Sequence, residues 1–475
     1  LTGAIAATFP ILVVVGVLAA RGGAVLAGGL GLAATLGPAL ATGRLAPPEA
    51  ALQLLRGGWL ALQVILVVAA GLLFHGARGG DEPAAGGETA PSPFAAAFLL
   101  GPFAECATGF GVGWLVAFAA LRARGLAAPA AALLGLFSQV LVPWGALAVG
   151  TRLGADLAGL EPRALGLASA EVTALLLAGH LVAFEALARR VGLARPAAAT
   201  LEDALWLAAL GLLLVRLSPR LDLELVGLVA SGLLLALRWL RDVRPGPARL
   251  AATLRGTLDY GCLVTALLAV RLVPAVAEPA QRLLVLRPAA DLPPLPLLRS
   301  PASWLLVVAL GFLVARRGAA ALGPALRAAG RRAWTPCLVT LLFVAMATVY
   351  GAAGLAAAAA QGLLAMAGPA AILAVPGMAA LAGFLTASNA GSNSLLMPIV
   401  AALAPAAGIA LEPLGGVLNA VASTFTLLSP PRLGLAAVLA GSAAADPLLL
   451  RRALPTAALA LALATLWTGG LLLTR

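Results

Sequence analysis

Long apolar runs separated by short stretches of arginine, glycine and proline set the rhythm of the chain. Each long run suffices for a helix of about 20 residues across a hydrocarbon core about 30 Å thick. Runs near 1–20, 24–42 and 57–74 precede an interrupted one at 94–120, followed by 126–150 and 165–187. Shorter runs at 204–215 and 222–237 read as a hairpin. Then come 257–276, a proline-rich stretch to Ser300, a short span at 302–315, and runs near 335–359, 367–385, 395–410 and 453–473. A helix that is apolar all round has little amphipathic signal, so length and flanking charge set these boundaries. The pattern predicts an all-α polytopic membrane protein, a single domain over 1–475 with about 12 to 14 transmembrane helices.

Two runs are broken by polar residues. In LTASNAGSNSLLM, 385–397, Thr386, Ser388, Asn389, Ser392 and Asn393 stand inside apolar sequence. Non-helical backbone survives at membrane depth only where it lines a cavity or packs on protein. Gly391 is expected to allow the break, with a new helix starting around Ser394 whose free N–H groups and positive dipole end suit an anion. In FAECATGFG, 103–111, Glu105 and Thr108 lie between apolar flanks, and Gly109 and Gly111 bracket Phe110. Corresponding interrupted segments in two halves point to the binding site of a secondary transporter. The structural alternative is a pair of kinked helices with small residues at packing contacts. A milder break, FSQVLVPWGALAVG, holds Ser138, Gln139 and Pro143, and is either a proline kink with Gln139 bonded to a neighbouring helix or a cavity wall. A late polar stretch runs through Asn419, Ser423, Thr424, Thr426 and Ser429. It follows the Ser/Asn break at about the distance by which Gln139 follows Glu105, which suggests repeats over about 57–200 and 335–475.

Glu105 is the only acidic residue within either interrupted segment. It is either the proton-coupling carboxylate of a carrier or a hydrogen-bonded cap that holds the break together.

Composition agrees with the membrane reading: 62% of residues are hydrophobic, 11% are charged, and the mean hydropathy is +1.03. The net charge of +12 does not point to nucleic acid, because the arginines gather in short loops as cytoplasmic loops do. All 31 basic residues are Arg, and no mechanism follows from that. RRVGLAR at 189–195 and the stretches 238–255 and 316–334 are expected on the cytoplasmic side; the loop from His75 to Pro93, with Asp81, Glu82 and Glu88, is expected outside. His75 reads as interfacial. His180, deeper in its run, is either an interhelical hydrogen-bond donor or part of a proton path, while Glu171 and Glu185 lie near span ends where they reach water. Cys106, Cys262 and Cys337 lack CxxC spacing, so neither disulfides nor zinc are expected. Residues 1–20 lack a charged n-region and read as a first span rather than a signal peptide. No P-loop, HExxH or GxSxG motif supports ATP-driven transport or an enzyme, and no ring of charges or filter motif supports a channel.

With both interruptions in view, the chain resembles the lactate permease family, carriers of lactate or glycolate with protons. FAECATGFG is similar to that family's Phe-x-Glu, small pair, Gly-Phe-Gly signature; TASNAGSNSLLM resembles its Ser/Asn-rich segment; and the stretch from Asn419 to Ser429-Pro430 resembles its late Asn/Thr-rich, Ser-Pro-ending segment. The chain departs from the family where Asn389 stands for a usual aspartate, Thr426 for a usual lysine and Cys106 for a usual glycine, and it lacks the proline that often follows Gly-Phe-Gly-Ala. The resemblance implies an elevator-like transporter with two hairpin-containing repeats, in the plasma (inner) membrane. The expectation is then symport of a small monocarboxylate with protons. Thr108, Gly109, Gly111, Ser388, Asn389, Gly391, Ser392, Asn393, Asn419 and Ser429 would bind the substrate and Glu105 would carry the proton. A sodium-coupled carrier of another organic anion and an ion channel are the alternatives. Expected partners are the carboxylate, protons and the lipid bilayer, with a homodimer left open, no nucleic acid and no cofactor.

Overall fold

Apolar sequence that has no water to bond its amides must bond them internally. The computed structural model is accordingly helical almost throughout the residues it describes, 2–78, 91–109, 111–193, 195–439 and 446–473. Helices α1 (Thr2–Ala19) and α2 (Ala24–Ala41) form a packed pair ahead of α3 (Pro47–Arg78), which spans 32 residues. The first interrupted segment begins with α4 (Pro93–Ala95), widens into a π turn at Ala96–Leu100 and continues as α5 (Gly101–Thr108). Pro102 lacks an N–H for the carbonyl of Phe98, and the widened turn accommodates that loss. After the break come α6 (Val112–Ala123) and α7 (Ala128–Gly135), which tightens into a 3-10 turn at Leu136–Gln139. A second such turn, Val142–Trp144, leads into α8 (Gly145–Ala158) across a bend of 63°.

Long helices α9 (Pro162–Arg190), α10 (Ala197–Leu217) and α11 (Leu223–Val243) follow. Next are α12 (Pro247–Gly256), which buries none of its residues, α13 (Leu258–Leu272) and α14 (Pro274–Arg282). The antiparallel pair β1 (Val285–Leu286) and β2 (Leu295–Pro296) joins them to α15 (Pro301–Arg317). The last part consists of α16 (Leu322–Ala352), α17 (Leu355–Ala367), a 3-10 stretch at Gly368–Ala374, α18 (Val375–Thr386), α19 (Asn389–Ala406) and α20 (Leu411–Phe425). It ends with a 3-10 turn at Thr426–Leu428, α21 (Pro430–Leu439) and α22 (Asp446–Leu473).

Among the described residues nine helices are long and apolar enough to cross a membrane, or up to 11 if each bent pair counts as one span. The protein is therefore an all-α, multi-pass membrane protein, and the described residues hold nine to 11 such helices where the length suggests 12 to 14 spans. The arms around the first break explain part of the difference: α6, with 12 residues, rises about 18 Å and cannot cross a bilayer alone.

Two apolar cores build the molecule. One gathers the end of α3, the first broken segment, α10, α11, α13 and α15; the other gathers α1, α2 and α17 to α20 with part of α22. They are joined where α3 runs along α16, with Thr348 donating to the carbonyl of Gln53 at 2.9 Å, and by a smaller cluster of Leu60, Val64 and Val68 with Leu153 and Val344.

Two expectations change, and a third falls outside the described residues. α10 and α11 are 21 residues each, not short hairpin arms, because ion pairs of Arg195 and Arg238 with Asp203, and of Arg241 with Glu202, satisfy charges that would otherwise end the helices. Among the described residues His180 makes no interhelical hydrogen bond; the Leu176 carbonyl lies one turn back on its own helix, and the ring packs edge-on against Phe137. The loop expected outside, residues 79–90 with Asp81, Glu82 and Glu88, lies outside the described residues; at its border Arg78 pairs with Asp259, which Arg316 approaches at 3.6 Å.

Candidate functional site

The second break opens at Ala387, which takes a left-handed conformation at φ 55° and ends α18. Ser388 then caps α19, its side chain accepting from the N–H of Gly391 at 3.1 Å. The new helix therefore starts at Asn389, five residues before the expected Ser394, and Gly391 is an ordinary first-turn residue rather than the hinge. A serine N-cap holds the turn, so the left-handed residue falls just before it. Thr386 and Ser392 face each other across the break, their hydroxyl oxygens 3.0 Å apart, and Ser392 donates to the carbonyl of Ser388 at 2.9 Å.

From this helix start two amides, Asn389 and Asn393, reach inward and meet a third on α20. Asn393 donates to the carbonyl of Gly150 at 2.9 Å and to Asn419 at 2.8 Å; Asn389 meets Thr151 at 3.4 Å. Asn419, on α20, donates in turn to Thr151 and Ser169, each at 2.9 Å. All five side chains are buried. The result is a neutral knot that ties α19 to α8, α9 and α20, closed on itself except for the carbonyl oxygen of Asn393. A buried amide left unpaired costs about 1–3 kcal/mol, so the knot specifies how these helices sit.

The first break is built differently. Gly109 and Gly111, at φ +73° and +81°, occupy the left-handed region that glycine tolerates; Phe110 lies outside the described residues. The carboxylate of Glu105 reaches across the gap and accepts from the N–H groups of Gly111 at 3.2 Å and Gly113 at 3.0 Å, the free donors at the start of α6. A third donor is the Gln139 amide at 3.3 Å. Glu105 is 1% exposed. All three partners donate, which is the pattern an ionised carboxylate satisfies. The two arms cross closely at Gly101 and Gly113, where a side chain on Gly113 would fall 2.3 Å from the Gly101 carbonyl oxygen.

Both breaks converge on the start of α8. Ala146, Leu147 and Ala148 are left-handed there, at φ 49°, 55° and 58°, each at a cost of about 1–3 kcal/mol. Gly109 packs on Ala146 so tightly that a β-carbon would sit 2.5 Å from that of Ala146, and a β-carbon on Gly150 would sit 3.0 Å from the Asn389 amide. One strained turn is thus clasped between a charged break and a neutral one.

No protein-family model and no curated protein matches the chain.

The expected site residues divide accordingly. Asn389, Asn393 and Asn419 come together, with Ser388 and Gly391 shaping the helix start they share. Glu105, Gly109 and Gly111 form the other cluster. Thr108 spends its hydroxyl on the Ala104 carbonyl of its own helix, at 2.7 Å. Ser429, at the start of α21, hydrogen-bonds to neither cluster through its side chain, its hydroxyl being buried without a partner. Thr151 and Ser169 were not anticipated; a glycine-threonine pair just past the Pro143 break was the available signal for Thr151.

A cavity of about 440 Å³ reaches the back of the strained turn at Leu147 and Val149. Its walls carry Arg152, Arg163, Arg271 and Arg299 against Asp222 and Glu224. Burial pushes the Asp222 carboxyl up, but bonds from Arg163 and Arg299 outweigh it and hold the group below its ordinary value. The cavity lies at the Arg271 end of α13, whose other end, at Asp259, meets the arginine-rich face.

Proposed function

We propose that the protein is a secondary transporter that moves a small monocarboxylate, most simply lactate or glycolate, together with protons across the plasma (inner) membrane. The observation that carries this reading is the convergence of two broken membrane helices on one strained turn in the interior, with a sealed carboxylate capping one of them. The motif resemblance points the same way.

The order of elements supports a two-repeat, elevator-like architecture. A long helix (α3 or α16) precedes a broken pair (α5 and α6, or α18 and α19), then a helix that ends in a 3-10 turn (α7 or α20), and later another long helix (α9 or α22). In this reading the broken pairs and the turns that follow them form the mobile part.

Glu105 carries the proton. When neutral, its O–H needs an acceptor, and the Gln139 carbonyl oxygen, buried with no partner, supplies one when the amide turns over. Gly111 and Gly113 keep accepting oxygens within reach in either state, so protonation changes charge without dismantling the break. Reconstitution into proteoliposomes tests the reading: labelled lactate should accumulate uphill when an inward proton gradient is imposed. Absence of accumulation under proton and sodium gradients alike, with the protein correctly folded, would sink it.

A further inference from the structure

We propose that Arg432 holds the negative charge of the transported anion and that Glu105 competes for it, so that neutralising Glu105 opens the site to the anion. This rests on the transport reading above and adds the residue that binds the charge.

Arg432 lies in the first turn of α21, three residues after Ser429. Arginine stays charged inside a protein and presents donors only. Its Nη1 is shielded from solvent and has no hydrogen-bond partner, and among the described residues no carboxylate lies within ion-pair distance of it. Glu105 reaches it through the contact between the turn Thr426–Leu428, just before α21, and the turn Leu136–Gln139, whose Gln139 amide bonds the Glu105 carboxylate. Arg432 is half-buried, and a shielded guanidinium nitrogen without an acceptor is costly; a carboxylate is the planar acceptor the guanidinium fork fits.

The surroundings are open in a complementary way. The 3-10 turn before α21, Thr426–Leu428, packs on the turn Leu136–Gln139 that follows the first broken pair. On those two turns and their borders the Ser429 hydroxyl and the Gln139 carbonyl oxygen are also buried without partners. The amide knot around Asn393, by contrast, is nearly closed on itself. Open donors and acceptors therefore gather on the Glu105 side, and that is where an anion completes the bonding.

Among the described residues, the elements packed around α5 meet it through small residues. α3, α6, α8 and α11 present Gly71, Gly113, Gly145 and Gly227 to it, and the remaining group beside Glu105 is the buried thiol of Cys106. With Glu105 ionised, Arg432 is partly neutralised at a distance. With Glu105 protonated, its full charge is available, so proton and anion bind together.

The test uses the full chain in detergent, with acetate as the probe and binding followed by calorimetry near pH 5 and pH 8. Arg432→Gln should weaken acetate binding by about tenfold or more, the size expected for losing a charge-assisted bond, and Arg432→Lys should lose less. Glu105→Gln should bind acetate at pH 8 as tightly as the native protein does at pH 5. Native affinity in Arg432→Gln overturns the proposal, as does a native protein that binds no acetate or a Glu105→Gln variant that keeps the native pH dependence. If Arg432→Gln does not fold because Glu105 is left uncompensated, the double variant Glu105→Gln/Arg432→Gln removes both charges. Acetate binding by it equal to that of Glu105→Gln alone overturns the proposal. Arg432-dependent binding without any uptake in proteoliposomes would leave the anion site standing and remove the transport reading; unchanged lactate uptake and KM in Arg432→Gln would do the reverse.

Discussion

The two breaks solve the same backbone problem with different chemistry. At the first, a carboxylate bridges the gap and takes the free N–H groups of the next helix; at the second, a serine caps the helix and three neutral amides anchor it to its neighbours. A neutral cap is indifferent to pH. A carboxylate cap can change its charge while staying in place, so only the first break can exchange a proton without coming apart. In the transport reading proposed above, the first break is the switch and the second is the joint.

The sharpest way to break that comparison is to make the first cap neutral. Glu105→Gln keeps size and an accepting oxygen but cannot titrate. It should lose uphill, proton-driven uptake entirely while keeping exchange of labelled for unlabelled substrate, in which the proton need not be released. Accumulation at native levels in proteoliposomes would make Glu105 a static cap and the two breaks equivalent.

Removing an anchor at the second break should come next in size. Asn393→Leu deletes the bonds to Gly150 and Asn419 and leaves both acceptors buried, a penalty of about 1–3 kcal/mol. We expect a lower melting temperature in detergent and loss of uptake. Normal uptake in this variant would mean that α19 needs no anchor to α8.

Much of this contrast is visible in the amino-acid order, and its limits are instructive. Polar residues inside apolar runs locate both breaks to within a few residues, because the cost of burying them leaves few alternatives. The hinge at Ala387 carries no such mark, since alanine is unremarkable in sequence and only the Ser388 cap places it in the left-handed region. The partners of the amides are hidden for another reason: Thr151 and Asn419 stand 268 positions apart, and no local pattern encodes a contact between distant helices. Arg432 carries no such mark either, because it follows Pro430 and Pro431 at a helix start and only its shielded Nη1 distinguishes it from a loop arginine. The count of spans is blurred because short helical arms and whole spans are equally apolar.

The hinges offer a smaller test. A β-carbon at Gly109 meets both the left-handed penalty and Ala146, whereas Ala387 already bears that penalty. Gly109→Ala should therefore lower thermal stability by more than the left-handed cost of about 1–2 kcal/mol. Ala387→Gly should raise it by about 1 kcal/mol or less, since glycine's greater freedom in the unfolded chain offsets part of the relief. Equal and opposite changes at the two sites would show that backbone conformation alone, without the contact to Ala146, governs both hinges.

The smallest effect, and the most direct probe of the difference in charge, is expected from Asn389→Asp. The Asn389 side chain accepts from Asn393 at 3.3 Å through its carbonyl oxygen and donates to Thr151 at 3.4 Å through its nitrogen. An aspartate keeps the first bond. It preserves the second when the Thr151 hydroxyl turns to donate, away from the Pro143 carbonyl it now serves. The fold should survive, so a change in transport can be read as a change in charge. At low pH the new carboxyl is neutral and mimics the amide, and uptake should match the native rate. As pH rises and it ionises, an uncompensated charge enters a knot that holds no cation, and uptake should fall earlier on the alkaline side than in the native protein. An unchanged pH profile in a well-expressed variant would place Asn389 outside the moving path, and the second break would then be a joint that does not feel the proton at all.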